Sequence, residues 1–115
     1  MNFIKIDPYA CTVTTVEGDG SNESFCQLLG SEFWDVCARQ HNHDALLVDD
    51  DALSRNPQPP AFSFDGIAVH GIAIVTGCDW DGKTTEPTFT VEQVVERITW
   101  LGAVQTKPAL VWKAW

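Results

Sequence analysis

The chain of 115 residues has the length of one ordinary domain, and its hydrophobic fraction of 44% is enough to build a buried core. Its 16 Asp and Glu residues against 7 Lys and Arg give a formal net charge of -9. This excess of acid disfavours direct binding to nucleic acid or to an anionic membrane, because both contacts require Lys and Arg. It favours either simple solubility or a basic protein partner.

The first part of the chain is predicted to form two paired strands and a short helix. The apolar segment 3–6 precedes Asp7-Pro8, which is typical of a strand that ends in a turn. The segment 11–17 is rich in β-branched residues and suits a second strand paired with the first. Apolar residues within 25–29 have helical spacing, and Gly30 stands where a C-cap glycine belongs.

A hairpin is predicted next. Residues 33–39 alternate apolar and polar side chains, residues 40–44 supply the turn, and residues 45–48 form the returning strand. The proline-rich segment 56–60 is predicted to be a surface loop, because proline excludes both helix and central strand.

The most apolar segment, residues 67–75, is predicted to be a central buried strand that is broken or bulged at Gly71. Residues 77–87 are predicted to be a polar loop. Residues 91–101 are predicted to form a long amphipathic helix that begins with a capping box at Thr90.

These elements predict a single α+β domain over residues 1–115, in which one long and one short helix pack an antiparallel or mixed sheet of about five strands. Residues 103–115 are predicted to be an edge strand or a docking tail. Trp34 and Trp100 are predicted to pack in the core, whereas Trp112 and Trp115 offer a route to an oligomer.

Four cysteines are widely separated: Cys11, Cys26, Cys37 and Cys78. They include no Cys-x-x-Cys pair, which disfavours a zinc site or a thioredoxin-type redox pair. The sequence shows no signal peptide and no apolar run of membrane-spanning length. We therefore expect a cytoplasmic protein with reduced thiols, and their oxidation remains an open question.

Two acidic stretches are candidates for binding a partner. Asp49, Asp50 and Asp51 follow an apolar strand directly, and three adjacent carboxylates repel one another unless water, a metal or a basic partner faces them. Successive strand residues point to opposite faces, so the three cannot converge on a cation without a turn. The second stretch, Asp79-Trp80-Asp81, begins like a calcium loop but lacks the later ligands. We predict that these acids supply charge and that Trp80 is an anchor.

The alternative function is metal binding or hydrolysis at His41, His43 and Asp44, because two imidazoles and a carboxylate can ligate a transition metal. A polar hairpin turn is the favoured interpretation of this segment. Since no catalytic constellation and no cofactor motif is present, the sequence favours a non-enzymatic protein without a cofactor, although it does not decide the question.

Several short segments follow one another in a characteristic order. They are Lys5-Ile6-Asp7-Pro8, Leu28-Leu29-Gly30, Trp34-Asp35-Val36, Leu47 to Leu53 and Ile72 to Gly77, followed by the amphipathic helix. This order, over roughly residues 3–101, resembles a family of small uncharacterised domains of unknown function from bacteriophage, prophage and mobile-element genomes. The resemblance brings no catalytic residues with it.

The resemblance implies an accessory protein that acts in the cytoplasm of a host cell. Together with the net charge, it leads us to expect a non-enzymatic acidic protein that binds a basic host protein. An anti-defence factor or a DNA-mimic inhibitor is the specific form of this expectation.

Overall fold

The computed structural model of the protein describes residues 1–39, 44–55, 57–79 and 81–104, and of residues 37–39 only the backbone. The predicted α+β class is confirmed. Within these residues the helices are α1 (Asn22–Leu29) and α2 (Val91–Arg97), and all strand pairs are antiparallel. The strands are β1 (Asn2–Asp7), β2 (Thr12–Glu17), β3 (Trp34–Arg39), β4 (Ala45–Asp49), β5 (Ala61–Phe64), β6 (Ile67–His70), β7 (Ala73–Cys78), β8 (Thr84–Thr85) and β9 (Ile98–Gly102).

The larger sheet has the order β2-β1-β7-β4-β3, with the short β8 paired to the end of β7. Both predicted strand pairs, β1 with β2 and β3 with β4, are confirmed. The two pairs flank β7, whose residues Ala73 to Gly77 are buried. A central strand with both faces covered is expected to be a continuous apolar run, as β7 is.

Helix α1 covers one face of this sheet, and its C-terminal end matches the sequence signal at Gly30. The Ser21 side chain accepts the Ser24 N–H at the N-cap, and Gly30 adopts a left-handed φ of 68° at the C-cap. The helix buries Phe25 and Leu29 against the sheet.

The second sheet, with the order β6-β5-β9, corrects two expectations. The predicted helix over 91–101 ends at Arg97, because the β-favouring residues that follow pair with β5, Ile98 opposite Phe64. The segment 67–75 does break at Gly71, but its halves β6 and β7 belong to different sheets. Gly71 has a φ of +85°, which lets the chain turn between them.

Two predicted loops are also more ordered than expected. Within 77–87, Thr84 and Thr85 form β8 and pair with the end of β7, so this segment is a hairpin. In the proline-rich loop, Gln58 and Pro59 are buried rather than on the surface. The Gln58 side-chain amide donates to the Leu53 carbonyl, which satisfies a polar group that lies inside.

The core has two parts, one on each face of the larger sheet. Alternation along β1 sends Phe3 toward α1, and sends Ile4 and Ile6 toward the second sheet and α2. The predicted packing of Trp34 and Trp100 is confirmed, one in each part. No helix in the described part of the chain is long and apolar enough to cross a membrane.

Candidate protein-binding surface

The two predicted acidic stretches lie at opposite ends of the larger sheet. Asp49 ends β4 beside the start of β7, since Val48 pairs with Ala73. Asp79 follows directly on the other end of β7. The six residues of β7 span about 20 Å, so the two stretches form separate patches.

Asp49 is largely neutralised within the protein. Its side chain is 9% exposed and accepts two hydrogen bonds from Arg55, at 3.0 Å from Nε and 2.7 Å from Nη2. It also accepts the Ser31 hydroxyl and the Asp51 N–H. Asp49 therefore ties β4 to the following turn, and only Asp50 and Asp51 of this triplet are exposed.

The second stretch forms the turn of the β7–β8 hairpin. The Asp79 carboxylate accepts the Asp81 and Lys83 N–H groups, both at 2.9 Å, and the Asp79 backbone pairs with that of Lys83. This pattern is a side-chain-stabilised turn and accounts for the Asp at its start. The carboxylates of Asp79 and Asp81 are on exposed residues. Trp80 lies outside the described residues, so its predicted anchoring role stays a prediction.

Two further carboxylates, those of Glu17 and Glu86, lie at the same end of the larger sheet as Asp79. Glu17 ends β2 opposite Asn2, and the Asn2 N–H donates to Glu86 Oε2 at 2.6 Å. The backbone after β8 lies very close to β7 at this point, because a Cβ added to Gly77 would overlap the Glu86 carbonyl oxygen. Glycine at position 77 thus allows the close approach that places Glu86 beside Asn2.

Asp19 lies in the turn between β2 and α1, next to the same hairpin. A Cβ added to the neighbouring Gly20 would lie 3.7 Å from the Thr84 Cβ. Hydrogen bonding from Ser21 is the main cause that lowers the pKa of Asp19 below its ordinary value of 3.8. Its negative charge therefore persists in mild acid.

We call this surface the acidic end, formed by Glu17, Asp19, Asp79, Asp81 and Glu86. All five residues are exposed. Sequence reasoning found only Asp79 and Asp81, because the other three are brought to the same end by the pairing of β1 with β7, two strands that lie far apart in the sequence.

Few cations oppose these charges. Arg55 is bound to Asp49, and Arg97 Nη1 lies 2.8 Å from Asp65 Oδ2. Within the described chain, Lys83 and the amino group of Met1 are the cations at the acidic end, and that amino group donates to the Gly18 carbonyl.

A groove of about 310 Å³ opens beside the acidic end, between β1–β2 and the segment that leads into α2. Ile4, Phe89 and Val91 give it apolar walls, while Thr15 and Glu86 add polar groups. The described residues that line it include no Lys, Arg or His. The groove thus offers apolar surface with a carboxylate at its rim.

The segment that walls the groove is held by a buried carboxylate. Asp44 is 0% exposed, and its two oxygens accept the Thr88 and Phe89 N–H groups, each at 2.9 Å. Of the alternative metal set, His41 and His43 lie outside the described residues. Among those described, no three His, Cys, Asp or Glu side chains form a group that could hold a metal ion.

His70 makes a hydrogen bond within the fold, and three of the cysteines are described as free thiols. His70 is 3% exposed and its Nδ1 lies 2.8 Å from the Pro59 carbonyl oxygen, which requires a proton on Nδ1 because a carbonyl only accepts. Cys11, Cys26 and Cys78 are free thiols, and the Cys37 side chain is outside the described part. Trp112 and Trp115 lie outside it too, so the predicted oligomer contact stays a prediction.

No family model, no curated protein and no solved structure matches the chain. The resemblance to phage and mobile-element domains therefore stays an expectation drawn from the residues.

Proposed function

We propose that the protein is a non-enzymatic binding protein whose acidic end contacts a basic surface of another protein. The observation that carries this proposal is the gathering of five exposed carboxylates at one end of the sheet, while Arg55 and Arg97 are used by other acids. Such a net negative field, which Lys83 and the Met1 amino group offset only in part, accelerates association with a cationic partner and makes the rate sensitive to salt.

The specific form of the proposal is an anti-defence or DNA-mimic inhibitor that occupies a nucleic-acid-binding surface of a host protein in the cytoplasm. Nucleic-acid-binding surfaces are rich in Lys and Arg, which is the charge that the acidic end complements. The support for this form is the charge and its placement, together with the family resemblance of the sequence.

Two matched variants separate the acidic end from the overall charge of the chain. The acidic-end variant carries Glu17→Gln, Asp79→Asn, Asp81→Asn and Glu86→Gln. The opposite-end variant carries Glu32→Gln, Asp35→Asn, Asp50→Asn and Asp51→Asn. Both remove the same number of charges from exposed residues, and each amide keeps an oxygen that can accept a hydrogen bond.

The experiment is capture from a host lysate on the immobilised protein at low salt, followed by elution with a salt gradient. We expect one stoichiometric basic protein to bind the wild type and the opposite-end variant, and to be lost from the acidic-end variant. Equal capture by all three, or the absence of any specific protein, would contradict the proposal.

A further inference from the structure

We propose that the partner is bound as an added β-strand along the outer edge of β2, with a Lys or Arg side chain in the neighbouring groove. This inference rests on the proposed function and specifies where and how the basic partner is held. Strand addition uses backbone hydrogen bonds for affinity and alternate side chains for specificity.

The edge of β2 is open and regular. It is the terminal strand of its sheet, and no described strand pairs with its outer side. Its six residues pair with β1 without a bulge, and they include no proline or lysine. Edge strands that avoid pairing use such devices, so within the described residues β2 is available as a template for another strand.

The pairing with β1 shows which residues of β2 offer free backbone groups. Met1 and Gly18 exchange two hydrogen bonds of 3.0 Å, so they form a hydrogen-bonded pair. Such pairs alternate with non-hydrogen-bonded ones in an antiparallel ladder. Val13, Thr15 and Glu17 therefore direct their N–H and C=O groups outward, toward an incoming strand.

The same residues determine where the incoming side chains lie. Thr15 pairs with Ile4, and both line the groove. A residue that pairs with Thr15 on the outer side has its side chain on the same face of the sheet, since paired residues share a face. That side chain is directed toward the groove, next to Glu17 and Glu86.

The charge and the apolar surface of the groove determine which incoming side chain fits opposite Thr15. The groove combines the apolar surface of Ile4 and Phe89 with the carboxylate of Glu86, and Glu17 stands at the end of the same edge. A Lys or Arg side chain fits such a site because its aliphatic stem packs on apolar surface while its charged head meets the carboxylates. A second copy of this acidic chain is disfavoured by like charge.

The test is an amide NMR titration of the full-length protein with a short peptide of alternating lysine and valine, at low salt. We expect shifts and slowed hydrogen exchange at Val13, Thr15 and Glu17. A matched peptide of alternating glutamate and valine is expected not to bind, because it reverses the charge.

Thr15→Pro is the sharpest variant. Proline is tolerated on an edge strand where its N–H faces outward, so the pairing with β1 is kept while one outward donor is lost. We expect about tenfold weaker peptide binding from the loss of that hydrogen bond. Glu17→Gln with Glu86→Gln, which leaves the backbone unchanged, is expected to weaken binding as well.

The outcomes separate this inference from the proposed function. If the lysine peptide binds with shifts at Asp79–Lys83 but not on β2, the strand-addition mode is wrong and the acidic-end function stands. If it binds only at Asp50 and Asp51, both are contradicted. If it does not bind at all, the strand-addition mode is overturned, and capture from lysate with the two matched variants decides the proposed function by itself. If the β2 amides are already protected in the free protein, another segment occupies the edge, and the inference is overturned.

Discussion

At the scale of single residues, Asp44 links the fold to the candidate surface. Its buried carboxylate accepts two backbone N–H groups from the segment between β8 and α2. A buried carboxylate is stable only when such donors satisfy it. The sequence suggested Asp44 as a metal ligand or a turn residue, because nothing local reveals partners that lie 44 and 45 positions away.

We predict that Asp44→Asn lowers the free energy of unfolding by about 1–3 kcal/mol. An asparagine has one accepting oxygen, so one of the two N–H groups at Thr88 and Phe89 loses its partner. Urea unfolding measures the change. The control is Asp50→Asn on an exposed residue, for which we expect a change within about 0.5 kcal/mol. Equal effects of the two substitutions would show that the Asp44 contacts contribute little.

At the scale of elements, the sequence was sufficient to predict those helices and strands that neighbouring residues alone determine. The C-cap of α1, the capping box of α2 and the pairing of β3 with β4 were predictable for this reason. The second sheet was missed, although Asp65-Gly66 between β5 and β6 is a strong two-residue hairpin signal, with φ values of 50° and 85°.

The end of α2 was misassigned for a physical reason. Ile98 and Leu101 continue the helical apolar spacing of Val91 and Val94, so periodicity alone cannot separate helix from strand here. The pairing of β9 with β5, a strand more than thirty positions earlier, determines that Ile98–Gly102 form a strand rather than the end of the helix. As a result Leu101 is 37% exposed rather than part of a helical core stripe.

A pair of adjacent valines tests this arrangement of α2. Val94 is 0% exposed, whereas Val95 is 51% exposed. We predict that Val94→Ala costs about 2 kcal/mol of unfolding free energy through lost burial and a small cavity. Val95→Ala is expected to stay within about 0.5 kcal/mol. Chemical unfolding of both variants measures the difference, and similar costs would mean that α2 packs through a different face.

At the scale of the whole molecule, the distribution of charge matters more than its sum. The sequence correctly indicated an acidic protein, but it could not show that Asp49 is paired with Arg55 or that Glu17 and Glu86 lie on either side of Asn2. The second fact depends on the order of strands in the sheet. The acidic end therefore emerges only from the folded chain.

Interaction with a partner through the acidic end predicts a strong dependence on ionic strength. Charges near a surface act over about 10 Å at 0.1 M salt, so association slows as salt rises. Asp50 and Asp51 lie at the other end of β7 and are expected to contribute little to this effect.

The most direct test is the association rate of the captured partner with the acidic-end variant and with the opposite-end variant, measured at low and at moderate salt. We predict that the acidic-end variant associates about tenfold more slowly at low salt and loses most of its salt dependence, while the opposite-end variant stays close to wild type. Equal slowing of both variants would show that only the net charge of the chain matters, and would contradict a defined binding surface at the acidic end.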